Sequence, residues 1–228
     1  MKQGILLVDK PAGWTSFDAV NYLRGQIARQ EGVKPKSIKV GHAGTLDPFA
    51  TGLLIVLIGK EYTKKAGDFA KLDKTYEVTM RLGATSSTGD PEGQITPVND
   101  TQPNLEAIKA AAAKFTGTIE QVPPAYSAIK VDGQRAYKLA RAGKEVTIEP
   151  RQVTIHKLEI TDYSYPNVKL VADVSSGTYI RTLVEDLGKT LGTGAYTLEL
   201  RRTKTGKYSI KDVQDPKTLN LDSVTPQA

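Results

Sequence analysis

GHAGTLDPFATGLLIVLI, residues 41–58, changes character partway along. As far as Gly52 it is made of turn formers. From Leu53 to Ile58 it is an unbroken apolar run of the length of one strand, which reads as a strand buried on both faces. Gly41 and Gly44 permit backbone shapes closed to other residues, and Pro48 fixes the chain just after Asp47. Asp47 therefore sits on a rigid, tightly wound loop immediately ahead of a buried strand. Rigid support of this kind gives a carboxylate the positioning that catalysis needs. It equally suits an aspartate that caps a turn by accepting from backbone N–H groups. The turn-rich segment from Gly41 to Gly52 is expected to interrupt the regular elements.

Outward from this stretch, strands come in groups with helices between the groups. Ile5–Val8 reads as a short buried strand. A helix follows, capped by Thr15 or Ser16, with Val20, Leu23 and Ile27 on one face. Tyr76, Val78, Met80 and Leu82 alternate with polar residues as a half-buried strand does. Gly, Pro, Asp and Asn between Ser86 and Pro103 predict a long loop. Asn104 caps a helix with Leu105, Ile108, Ala112 and Phe115 inward, ended by Gly117. Short strands are expected around Pro123-Pro124, then a basic helix over 134–142 closed by Gly143. Val153, Ile155, Leu158 and Ile160 form a strand whose phase slips near His156-Lys157, and Val168–Val174 pairs with it. A helix over 178–191 and a strand carrying Tyr196, Leu198 and Leu200 complete the pattern, before a tail from Asp215. Strands grouped this way favour an α+β protein with a mostly antiparallel sheet flanked by helices and loops.

Composition narrows the chemistry. The chain has 228 residues, 39% of them hydrophobic and 25% charged, as an ordinary globular protein has. No apolar run approaches the ~20 residues of a membrane span, and the first residues lack a signal peptide's apolar core, so a cytoplasmic location is expected. There are no cysteines and only two histidines, His42 and His156, which removes thiolate nucleophiles and argues against a Cys- or His-based metal centre, while a carboxylate site for magnesium stays open. The net charge of +6 is clustered. Arg24, Arg29, Lys34, Lys36 and Lys39 face only Glu31, and six basic residues between Lys189 and Lys211 face only Glu199. A third group is Lys130, Arg135, Lys138, Arg141 and Lys144. Such clusters suit a phosphate backbone, and equally a solvated surface.

Residues 41–54 closely resemble the central motif of the TruB family of pseudouridine synthases, G-H-x-G-T-L-D-P-x-A-x-G-L-L, at every fixed position. KPAGWTS (10–16), Lys74-Thr75-Tyr76, PPAYSAIKVDGQRAYKLARAG (123–143), SSGTYIRTLVEDLG (175–188) and LRRTKTGKYSI from Leu200 are similar to further family segments, in the family's order. The resemblance spans roughly residues 4–211 and implies the pseudouridine-synthase fold. It implies a catalytic domain over 1–214, in which about 101–150 is an RNA-contacting insertion. A tail over 215–228 and no C-terminal PUA domain are expected.

The implied reaction is an isomerisation of a uridine in the T arm of tRNA, at position 55. The C1′–N1 bond breaks, the uracil turns within the site, C5 bonds to C1′, and the C5 proton leaves. Nothing is oxidised or hydrolysed, so neither cofactor nor metal is implied. Asp47 is the implied nucleophile; a carboxylate serves by attacking C1′, by attacking C6 or by promoting a glycal. Arg181 is its implied cationic partner, able to grip both carboxylate oxygens. That arginine lies in the first turn of a helix, a poor place for an unpaired cation. Tyr76 is implied to stack on the uracil and take the C5 proton, Tyr179 to pack nearby and Leu200 to wall the base. The uridine must leave its stack, and His42 is implied to fill the gap. Lys10, Lys64 and Lys130 with the basic helix are implied to meet phosphates. The partner is thus the tRNA T stem-loop, bound by a monomer. The alternative is a non-catalytic tRNA-binding module or folding chaperone, which accounts for the basic surface but not for Asp47, Tyr76 and Arg181 occurring together.

Overall fold

The computed structural model describes residues 3–131 and 133–218. Its strands are β1 (Gly4–Lys10), β2 (Val40–Ala43), β3 (Thr51–Ile58), β4 (Lys74–Leu82), β5 (Ala84–Ser86), β6 (Ile95–Pro97) and β7 (Gly117–Gln121). They continue with β8 (Lys130–Val131), β9 (Gln134–Arg135), β10 (Arg151–Ser164), β11 (Asn167–Val174), β12 (Ala195–Thr205) and β13 (Tyr208–Ser209). The helices are α1 (Ser16–Gln30), α2 (Lys60–Lys64), α3 (Ala66–Ala70), α4 (Leu105–Ala113), α5 (Ala136–Arg141) and α6 (Ile180–Thr190). The chain forms two compact units, Met1–Tyr76 with Leu200–Ala228, and Glu77–Glu199. The α+β expectation holds: the pairings are mostly antiparallel and the strands alternate with helices.

In the first unit β3 is the central strand. One edge pairs antiparallel with β1 over its length, from Gly4↔Ile58 to Lys10↔Gly52. The other edge is divided. β2 pairs antiparallel with Ile55–Ile58, and β12 pairs parallel with Thr51 and Gly52. The expected interruption at Gly41 is therefore a strand, Val40–Ala43, and the loop starts only at Gly44. Both faces of β3 are covered. Leu54, Val56 and Ile58 pack with Val20, Leu23 and Ile27 of α1, whereas Leu53, Ile55 and Leu57 pack with Tyr208, Phe69 and Leu72. That is why the sequence runs Leu-Leu-Ile-Val-Leu-Ile without polar alternation. Truncating one of these side chains to alanine costs about 2–5 kcal/mol.

Helix α1 begins as its sequence dictates. Thr15 Oγ1 accepts from the Asp18 N–H at 3.0 Å, and the Asp18 carboxylate accepts from the Thr15 N–H at 2.8 Å, a reciprocal cap that fixes the first turn. At the far end of the described chain, Gln214 extends the edge of β1 through the Asp9 N–H and the Leu7 carbonyl. The expected tail from Asp215 lies outside the described residues beyond Thr218.

In the second unit the strand order is β4-β11-β10-β7. β10 and β11 form a long antiparallel hairpin whose register shifts between Ile155 and Lys157, where the sequence phase slips. The expected loop over 86–103 holds β6, which pairs back on β5 just ahead of it from Ala84↔Pro97 to Ser86↔Ile95. Asn104 caps α4 through its Oδ1, which accepts from the Ala107 N–H at 2.8 Å. Ile108, Ala111 and Ala112 of that helix are buried, but Leu105, expected inward, is exposed. The basic helix is shorter than expected, because Gln134 and Arg135 belong to β9 and only Ala136–Arg141 is helical.

Candidate active site

The loop from Gly44 to Ala50 carries Asp47 between β2 and β3. Gly44 has φ +75°, which an L side chain adopts at a cost; Gly41, expected to need the same freedom, does not have a positive φ. Leu46 is buried, and its backbone is gripped by one side chain. The Leu46 N–H donates to Ser16 Oγ at 2.8 Å, and the Ser16 hydroxyl donates to the Leu46 carbonyl at 3.1 Å. After Asp47 the chain turns at once: the Ala50 N–H donates to the Asp47 carbonyl at 3.1 Å, with Pro48 at the turn's second position. The Pro48 carbonyl accepts from the Gly13 N–H at 2.9 Å and from Lys10 Nζ at 3.2 Å. Asp47 itself is half-buried.

Lys10 is not the exposed lysine that a phosphate contact needs. It is fully buried, and its ammonium also donates to the carbonyls of Trp14 at 2.6 Å and Pro11 at 2.9 Å. It joins the 10–16 segment to the Asp47 loop. Lys64 is exposed and pairs with Glu61 at 3.0 Å.

Two further cations lie under this loop, and neither was given a role of its own from sequence. Arg202 is 1% exposed. Its Nε donates to the Leu53 carbonyl at 2.8 Å and its Nη2 to the Gly44 carbonyl at 2.9 Å, so one guanidinium ties the start of the loop to β3 beyond its end. Lys74 is buried and donates to the Ala70 and Leu72 carbonyls. Burial first, and the Arg202 charge second, lower its ammonium to about 8. Burial, then Arg202, also lower the His42 imidazole, which favours its neutral form. His42 is half-buried on β2, opposite Val56.

Tyr76 on β4 and Leu200 on β12 are both buried, each 8% exposed. The Thr203 hydroxyl donates to the Thr75 carbonyl at 3.3 Å, which brings β12 beside the start of β4 within the first unit. Arg201, counted from sequence in a basic cluster, pairs with Asp9. With Arg202 buried, two members of that cluster are structural, whereas Lys189, Lys204, Lys207 and Lys211 are exposed.

The remaining candidates belong to the second unit. Tyr179 precedes α6, and the Gln121 amide grips its backbone. The Tyr179 N–H donates to Gln121 Oε1 at 2.8 Å, and Gln121 Nε2 donates to the Tyr179 carbonyl at 3.1 Å. Arg181 is 4% exposed, not a surface arginine. Its Nη1 donates to the Thr88 carbonyl at 2.7 Å and its Nη2 to the Tyr126 carbonyl at 2.8 Å. Asp90, buried and missed from sequence, lies 3.5 Å from Nη1, and its Oδ1 accepts from the Thr88 hydroxyl at 2.6 Å. The guanidinium is thus held in a fixed orientation by hydrogen bonds and charge. Burial raises the pKa of Glu185 on the same helix. Lys130, Arg135, Lys138, Arg141 and Lys144 are all exposed, on β8, β9, α5 and the turn after it. No helix among the described residues is long and apolar enough to cross a membrane.

The strand order and the loop held ahead of a central strand define the pseudouridine-synthase class. One chain of a solved Cbf5-Nop10-Gar1 complex has this fold, at TM-score 0.69 and 26% identity over 93% of this chain and 52% of that one. Residues 30–180 match the N-terminal domain of the TruB family pseudouridylate synthases, and residues 181–225 match the tRNA pseudouridylate synthase B C-terminal domain. This chain belongs to the TruB family. The tRNA pseudouridine synthase B of Parabacteroides distasonis is 42% identical to it over 217 residues, 95% of this chain and 91% of that protein. That of Cupriavidus metallidurans is 47% identical over 227 residues, 99% of this chain and 68% of that protein.

Proposed function

We propose that this protein isomerises the uridine at position 55 in the T loop of tRNA to pseudouridine. The observation that carries the reading is the Asp47 loop: a carboxylate with both flanking peptides held, in a chain of the TruB family whose relatives bear the name tRNA pseudouridine synthase B. Asp47 acts as the nucleophile. Arg181, its guanidinium already oriented, supplies the cation that keeps that carboxylate ionised. Tyr76 stacks on the detached uracil and takes the C5 proton, Leu200 and Tyr179 pack around the base, and neutral His42 fills the gap left by the flipped nucleotide. The exposed cations of the 101–150 insertion, Lys130 among them, meet the RNA backbone, with Lys64 a further phosphate contact. The protein works as a monomer in the cytoplasm, and the chaperone alternative is not favoured by the names its relatives bear.

Tritium release from an unmodified tRNA transcript labelled at uridine C5 tests this reading. About one equivalent per tRNA is expected. Release should vanish with Asp47→Asn and when the position-55 uridine is replaced. Binding without release from the wild-type protein would refute the catalytic assignment. A stable dimer in sedimentation would refute the monomer.

A further inference from the structure

We propose that Ser16 and Arg202 are positioning residues for the isomerisation, acting on Asp47 through the backbone of its loop. This rests on the reading of Asp47 as the nucleophile. Where an aspartate's Cα–Cβ bond points is set by the two peptide planes on either side of it. The plane after Asp47 is held by the Ala50 N–H on the Asp47 carbonyl and by the Pro48 ring. The plane before it carries the Leu46 carbonyl, and the Ser16 hydroxyl donates to that oxygen. The same hydroxyl accepts the Leu46 N–H, so its one proton and a lone pair are both committed to one residue. Ser16 is itself fixed: it is 2% exposed and stands in the first turn of α1, locked by the Thr15–Asp18 cap. A hydroxyl rigid in its own element thus fixes the direction of the nucleophile.

Arg202 acts one step further out. Its contacts with the Gly44 and Leu53 carbonyls tie the start of the loop to β3 beyond its end, on either side of the stretch that Ser16 holds. A lysine keeps the charge but is a point donor in place of the planar fork. A basic residue counted toward RNA binding from sequence is, at 1% exposure, the bracket of the catalytic loop.

The experiment is single-turnover tritium release with enzyme in excess, recorded as a rate constant and an amplitude, beside the tRNA Kd and the melting temperature. Ser16→Ala should lower the rate constant by roughly ten- to a hundredfold, since a misplacement near 1 Å costs up to about a hundredfold. Its Kd and amplitude should match wild type. Arg202→Lys should lower the same rate constant. Tyr163→Phe, which loses the 2.6 Å bond to the Pro103 carbonyl, gives the signature of a merely structural change: a lower melting temperature at an unchanged rate constant. A wild-type rate constant for Ser16→Ala, or a raised Kd in its place, overturns the inference while Asp47→Asn remains inactive. If Asp47→Asn itself reacts at the wild-type rate, both the nucleophile assignment and this inference fall.

Discussion

Replacing Gly52 by alanine separates two costs that a glycine usually hides together. Gly52 has φ +102° and lies where β3 runs between β1 and β12, paired with Lys10 on one edge and Arg202 on the other. A Cβ there would meet the Arg202 backbone nitrogen at 2.8 Å and the Arg202 carbonyl oxygen closer still. Both neighbours are backbone, so no change of rotamer relieves the overlap, and pairing on both edges keeps the strand from shifting. Overpacking of this kind costs about 1–3 kcal/mol, and the positive φ adds about 1–3 kcal/mol. Gly117 has nearly the same φ, +104°, but open space where its Cβ would go. Gly117→Ala therefore bears the conformational cost alone. At about 2–4 °C per kcal/mol for a chain of this size, Gly52→Ala should melt roughly 2–12 °C below Gly117→Ala. Thermal unfolding of the two variants beside wild type reads the difference directly. Equal losses would refute the close approach of the β3 and β12 backbones.

Other expectations follow from the buried cation and the cap. The Lys74 ammonium is lowered from its ordinary 10.5 to about 8, so between those values the unfolded chain binds more protons than the folded one. Its contribution to stability therefore rises with pH through that window and is least favourable below it. In urea unfolding at pH 7.5 and pH 10, the stability of wild type relative to Lys74→Met should move in favour of wild type at the higher pH; a difference independent of pH would count against it. Asn104→Ala removes the bond from the Ala107 N–H that caps α4 and should cost about 1 kcal/mol. No measurable loss in the same unfolding assay would show that another group satisfies the helix start.

Local features were legible because their causes are local. The Thr15 cap, the α1 face of Val20, Leu23 and Ile27, and the Asn104 cap each depend on residues within a turn or two of each other. The slip at His156-Lys157 was readable because a bulge shifts the period of the apolar residues where it occurs. The β3 run declared its own burial, and the residues around Asp47 declared their family. What failed were readings that needed a distant partner. Val40–Ala43 is too short and glycine-bearing to look like a strand until Ile55–Ile58 lies beside it. The hairpin of β5 and β6 is hidden in a run of turn formers for the same reason.

Charge was the deepest ambiguity. Lys10, Arg202 and Lys74 are ordinary basic residues by composition, and the first was expected to meet phosphate. Their burial depends on carbonyls that the chain brings from elsewhere: Pro48 lies 38 residues from Lys10, and Gly44 lies 158 residues from Arg202. The sequence alone determined the fold class and the family, because patterning and motif are written along the chain. Only the tertiary structure decided which cations face solvent and which hold the loop, because a long basic side chain is buried only where folding gathers enough backbone oxygens to replace its water.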